Sequence, residues 1–176
     1  SLGRDVEAFR ATFLGAPRDR EVVLAEVAEM RARLAAAKTP DGPWDTKTGA
    51  GRMLDIELVG QAGTLLAGRA CRSVVDGLRA GVASGWLSDA DAQDLSAAYR
   101  LYWAVQSAAR LVSGKGAGEA VKGEGGAAFL LRSTKEPSLR ALEGALEEAY
   151  ATAARRIDAA VGPVRAKDED ESYGAR

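Results

Sequence analysis

Between Ser88 and Val112 the apolar residues Leu95, Tyr99, Tyr102, Val105, Ala109 and Val112 recur at intervals of three and four, the spacing that places side chains on one face of a helix. Ser88 is a capping residue, with Asp89 and Asp91 in the first turn, where the helix dipole favours acids. A helix this long with one apolar stripe must bury that stripe against other helices. Few segments elsewhere read as strands, because alanine, leucine, glutamate and arginine dominate and favour helix. The expected fold class is therefore all-α, a helical bundle of about five or six helices.

The same spacing places further helices. Asp5 to Leu14 reads as a short lead-in helix. Asp19 caps a helix from Glu21 to about Ala37, with Val23, Val27, Met30 and Leu34 inward. Pro40 and Pro43 then force the chain out of helix, and a polar loop runs to about Gly51. From Met53 the pattern returns with Leu54, Leu58, Gln61 and Leu65. Gly60, Gly63 and Gly68 would weaken this helix alone, so their spacing suggests close packing on a neighbour. The helix is expected to continue through Val74 to Ser84 after a kink near Gly68. Residues 113–127 read as a flexible glycine-rich loop, and Phe129–Arg132 as a helical stub. Ser138 caps a last helix, Leu139 to about Val161, with Leu142, Leu146, Ala149, Ala153 and Ile157 inward. The remaining tail is charged and reads as mobile. The aromatics Tyr99, Tyr102 and Trp103 read as core.

Composition excludes several functions. The 176 residues suit one domain, and 47% hydrophobic content is enough for a core. A net charge of −1 argues against a dedicated nucleic-acid binder. There is no histidine, so no Ser-His-Asp triad or His-ligated metal can form within this chain. The single cysteine, Cys71, allows no internal disulfide and fits a reducing compartment. No apolar run reaches the roughly 18 residues of a membrane span. Gly114-Lys115-Gly116 lacks the spacing of a phosphate-binding P-loop.

One stretch stands apart: Trp44–Gln61, "WDTKTGAGRMLDIELVGQ". Asp55 and Glu57 lie about 200 degrees apart on a helix, so they form no carboxylate pair. Glu57 and Gln61 share a face. Gly49 and Gly51 allow tight or left-handed backbone just before the helix. Open amides at that helix start, beside Lys47 and Arg52, would suit an anion such as a phosphate. The plainer alternative is that Asp55 satisfies those amides itself and Glu57 is bonded in the interior.

This stretch resembles the "D-x-K…GG-hydrophobic-x-DIEF…Q" signature of the bifunctional glutamine synthetase adenylyltransferase/adenylyl-removing enzymes. "PRDREVVLAEVAEMRARL" before it and "GWLSDADAQDLSAAYRLYWAVQSAARL" after it are similar to the family's flanking helices. The resemblance covers most of residues 17–162. The uridylyltransferase/uridylyl-removing enzymes carry a similar "GGLRDIQ" stretch, and Glu57 favours the adenylyltransferase side. Arg52 stands where the family has its second glycine, Leu58 where it has phenylalanine, and Trp103 or a neighbour where it has a helix arginine. These departures bear on what the loop does.

The resemblance implies a helical domain that follows a nucleotidyltransferase domain, here the C-terminal one. Residues 1–16 would then be a lead-in from the linker after the catalytic domain, 17–162 the helical domain, and 163–176 the tail. The catalytic signature, Gly-Ser followed by paired aspartates that hold magnesium, is absent from this sequence. So no catalytic or metal residue is assigned, and the chain carries no cofactor of its own; ATP and Mg2+ belong to the parent enzyme. Implied partners are the protein's own nucleotidyltransferase domain, glutamine synthetase and the PII signalling protein, in the cytoplasm, with no nucleic acid and no membrane. Asp45, Lys47, Gly49, Gly51, Arg52, Asp55, Glu57 and Gln61 form the expected inter-domain or nucleotide-facing motif. Two alternatives are a stand-alone helical interaction module and the equivalent domain of a PII uridylyltransferase.

Overall fold

The computed structural model describes residues 18–164. The expected helix over Asp5–Leu14 and the tail from residue 165 lie outside them. Seven helices and no strands are found among the described residues: α1 (Arg20–Ala37), α2 (Met53–Ala67), α3 (Val74–Ala83), α4 (Asp89–Ser113), α5 (Ala117–Ala120), α6 (Glu124–Thr134) and α7 (Leu139–Val161). The fold is all-α. None of these helices is long and apolar enough to cross a membrane.

Local chemistry sets the helix ends. The Asp19 carboxylate accepts from the Glu21 and Val22 amides, and Ser138 accepts from Ala141 N. Ser88 and Asp91 form a reciprocal capping box. Gly68 is not a kink. It adopts φ +61° and ends α2, and a separate helix starts at Val74 under a Ser73 cap.

The core is built on α4 and α7. Leu95, Tyr102, Val105, Leu130, Leu142, Leu146 and Ile157 are fully enclosed. A second cluster joins Val23 and Val27 of α1 to Ala62 and Leu66 of α2. Trp103 and Val112, expected inside, are exposed, as is Met30. The position on α1 that continues the Val23–Val27 stripe inward is Arg31, which is buried. On α2 the buried side runs through Met53, Ile56, Val59, Ala62 and Leu66, while Leu54, Leu58 and Leu65 are half-buried and Gln61 is exposed.

Helices α2 and α3 meet backbone to backbone. A Cβ on Gly63 would stand 2.1 Å from the Gly77 carbonyl oxygen, and one on Gly77 would stand 2.2 Å from that of Gly60. The glycines at 60 and 63 thus do what their spacing suggested. The same physics overturns the reading of residues 113–127 as a flexible loop. A Cβ on Gly126 would stand 2.2 Å from the Ala120 carbonyl oxygen, so that glycine seats α6 against α5. The stub expected at Phe129–Arg132 is part of the eleven-residue α6.

Two glycine substitutions should therefore move stability in opposite directions. Gly77→Ala forces backbone apart and should cost about 1–3 kcal/mol, the range for overpacking. Gly144→Ala, inside α7 with open space at its Cβ, should gain about 0.5–1 kcal/mol from helix propensity. Urea denaturation of each variant measures both; equal effects would contradict the packing described.

Candidate functional site

The segment from Lys38 to Met53 is a turn held at many points. The Asp45 carboxylate accepts from the amides of Asp41 at 3.2 Å, Lys47 at 3.1 Å and Thr48 at 3.2 Å. Lys38 Nζ stands 3.5 Å from the same carboxylate. Burial pushes the Asp45 carboxyl pKa up, but the three amides and the Lys38 charge outweigh it and hold it below the usual carboxylate range. Thr46 and Thr48 are buried. Their neighbourhood closes on the start of α2, where Met53 N donates to Thr46 O and Leu54 N to Lys47 O.

Gly49 and Gly51 take positive φ, +130° and +69°. At Gly51 the need for glycine is double, since a Cβ there would also stand 2.2 Å from the Tyr150 carbonyl oxygen. The Gly51 amide donates to Asp55 Oδ2 at 2.8 Å, and its carbonyl accepts from the Tyr102 hydroxyl at 2.9 Å. Tyr150 packs against Tyr102 with ring centroids 5.1 Å apart and donates to Pro43 O at 2.9 Å. Burial pushes both tyrosine pKa values well up, so both hydroxyls stay protonated donors.

Behind the turn lies a buried ion pair. Arg31 Nε donates to Asp55 Oδ1 at 2.6 Å and Arg31 Nη2 to Asp55 Oδ2 at 3.1 Å. The guanidinium also reaches Gly162 O at 2.6 Å and Asp158 Oδ1 at 2.9 Å. Burial works against its charge, but these hydrogen bonds and the two carboxylates more than offset that and raise its pKa. Sequence reasoning missed Arg31. The available signal was its place four residues after Val27 on the apolar stripe of α1, where a charged residue must be paired.

The eight expected residues do not form one site. Asp45, Gly49, Gly51 and Asp55 are structural members of the turn. Arg52 joins them: its Nη1 donates to Gly42 O at 3.0 Å and to Asp45 O, and its guanidinium carbon lies 4.0 Å from the Tyr150 ring centroid. The helix-start amides of Gly51, Met53 and Leu54 already have partners, so the anion site expected there, with Arg52 beside it, is filled by the protein itself. Glu57 and Gln61 face a different groove, between α2 and the segment Cys71–Val74. There Glu57 accepts from the Tyr99 hydroxyl at 3.1 Å. Lys47 is exposed and, with Asp45, lines a cleft to which Asp55 does not contribute.

Two substitutions separate these roles. Asp55→Asn leaves Arg31 buried with too little counter-charge and should cost about 3–5 kcal/mol, as removal of one partner of a buried pair does. Asp45→Asn tests the lowered pKa. Because the folded value is depressed, the contribution of Asp45 is complete above the usual carboxylate range and lost as pH falls through the folded value. The stability gap between wild type and Asp45→Asn should thus be widest near neutrality and close below about pH 4. Urea titrations across that range measure it.

Comparison with known proteins fits this architecture. The family model described as GlnD PII-uridylyltransferase matches residues 23–160. The bifunctional glutamine synthetase adenylyltransferase/adenylyl-removing enzyme of Rhodopseudomonas palustris strain BisB5 is 32% identical over 152 residues, which are 83% of this chain and 15% of that protein. The enzyme of the same name from Mesorhizobium japonicum is 33% identical over 114 residues, 62% of this chain and 12% of that protein. That of Stenotrophomonas maltophilia is 36% identical over 110 residues, 56% of this chain and 12% of that protein. The chain thus spans a small part, 12–15%, of the length of these relatives. No solved structure matches. With a family model fitting most of its length, the chain belongs to the GlnD PII-uridylyltransferase family, and the glutamine synthetase adenylyltransferases are among its relatives.

Proposed function

We propose that the chain is the non-catalytic helical domain of a glutamine synthetase adenylyltransferase, following the adenylyl-transferring nucleotidyltransferase domain. In that reading it supports ATP- and Mg2+-dependent adenylylation of glutamine synthetase in the cytoplasm and the response of that reaction to nitrogen status through the PII protein. The observation that carries it is the turn from Lys38 to Met53. The segment that resembles the family signature is braced by side-chain hydrogen bonds of Asp45, Arg52, Asp55, Tyr102 and Tyr150, and among the described residues it carries one exposed cation without an ion pair, Lys47. A surface held this firmly is pre-organised to receive a neighbouring domain. Residues 17–162 form the helical domain in this proposal.

The family model's description supports a second reading, the equivalent domain of a PII uridylyltransferase. The relatives' names and Glu57 favour the first.

One assay separates them. The chain is mixed with the matching catalytic domain, Mg2+, labelled ATP or UTP, and glutamine synthetase or PII as acceptor. Label from ATP on glutamine synthetase that needs both pieces supports the adenylyltransferase reading, and label from UTP on PII supports the second. In the active pair, Lys47→Ala should lower the transfer rate at least about tenfold, some 1.4 kcal/mol of barrier, while leaving the melting temperature unchanged. A catalytic domain that performs equally without the chain would overturn the supporting role.

A further inference from the structure

The outer side of the turn faces a cleft of about 710 Å³ whose opposite wall is the end of α4, the Gly114–Gly116 connection and α5. Five cations line it: Lys38, Lys47, Arg110, Lys115 and Lys122. They come from separate places in the chain: the end of α1, the turn, the last turn of α4, the connection after it, and the residues following α5. All five are exposed. The chain as a whole has net charge −1, so this concentration is local and not a reflection of composition.

Three acids also line the cleft: Asp41, Asp45 and Glu119. Two of them are already committed. The Asp45 carboxylate is taken by three backbone amides and Lys38, and Glu119 pairs with Lys122 at 2.9 Å. Lys47, Arg110 and Lys115 form no direct ion pair among the described residues, although the Lys115 charge, after that of Lys122, helps hold the Glu119 carboxyl below its usual range. Like charges gathered on facing walls repel one another, and an anion between them relieves that repulsion. A single carboxylate would answer one of them. Cations on both walls call for an extended anion carrying several charges. Lysines serve phosphates as point charges, and an arginine offers a planar fork to phosphate oxygens.

We propose that this cleft binds a polyphosphate anion, the triphosphate of a nucleotide or its inorganic counterpart, held between Lys47 on one wall and Arg110 and Lys115 on the other. This deepens the reading above, since it rests on the chain meeting a nucleotide that a catalytic domain brings. It also accounts for Lys115, in a glycine-flanked sequence without P-loop spacing: the fold, not a local motif, brings it opposite Lys47.

Calorimetric titration of the full 176-residue chain with sodium tripolyphosphate, and separately with ATP, tests the proposal at low salt, where exposed charges are little screened. Both anions should bind with affinities within about threefold of each other, because the phosphates supply the contacts, and the affinity should fall as salt is added. Lys47→Ala combined with Lys115→Ala should weaken both at least about tenfold, about 1.4 kcal/mol. Arg140→Ala, which removes an exposed charge outside the cleft, should leave binding unchanged. No binding of either anion overturns the proposal, as does equal weakening by Arg140→Ala. Binding of ATP without tripolyphosphate also overturns it, because the base would then be what is recognised. The titration uses neither catalytic domain nor acceptor protein, so its failure leaves the transfer assay standing, and a failed transfer assay leaves the titration interpretable.

Discussion

The Arg31–Asp55 ion pair is the contact on which the rest of the structure depends. Taking two charges out of water costs several kcal/mol each, and Coulomb attraction repays this only when geometry is good and the remaining donors and acceptors are satisfied. Both conditions are met. The pair is bidentate, and the guanidinium also reaches Gly162 O and Asp158, while the carboxylate also takes the Gly51 amide. No buried side-chain nitrogen or oxygen among the described residues lacks a partner. One charge pair thereby joins α1, the start of α2, the turn before it and the end of α7.

From this anchor the turn acquires two unlike sides. Its inner side is spent on structure: Asp55 on the Gly51 amide, the Tyr102 hydroxyl on the Gly51 carbonyl, Arg52 on backbone oxygens and the Tyr150 ring. Its outer side carries Lys47 and opens on the basic cleft. An arginine where the resembled signature has a second glycine thus does not loosen the turn. Position 52 has φ −92°, extended backbone that any residue adopts, and the side chain adds a brace. The glycine requirement is borne by Gly51, whose left-handed backbone and contact with Tyr150 leave no room for a Cβ.

Much of the fold was legible from helical spacing and caps. Asp19, Ser88 and Ser138 begin helices where their side chains can take orphan amides, and the long α4 and α7 follow their stripes. What was not legible depends on contacts between segments. The glycines of 113–127 read as flexible because a sequence does not reveal that Gly126 abuts the Ala120 carbonyl. Trp103 read as core because its neighbours on α4 are apolar, yet it lies just off the buried face. The candidate site was legible in its pieces, not in its assembly. Asp55 and the glycines were visible as unusual, but Arg31, the partner of Asp55, lies 24 positions away from it, and the cleft joins Lys47 to Lys115 across more than a third of the chain.

The most direct test of the central claim is native-state hydrogen exchange at the Gly51 amide. If the ion pair makes the turn part of the core, this amide opens only when the whole domain unfolds. Its exchange free energy should then equal that of core amides such as Leu95. Exchange of Gly51 at a much lower free energy than Leu95, through local opening of the turn, would contradict the account.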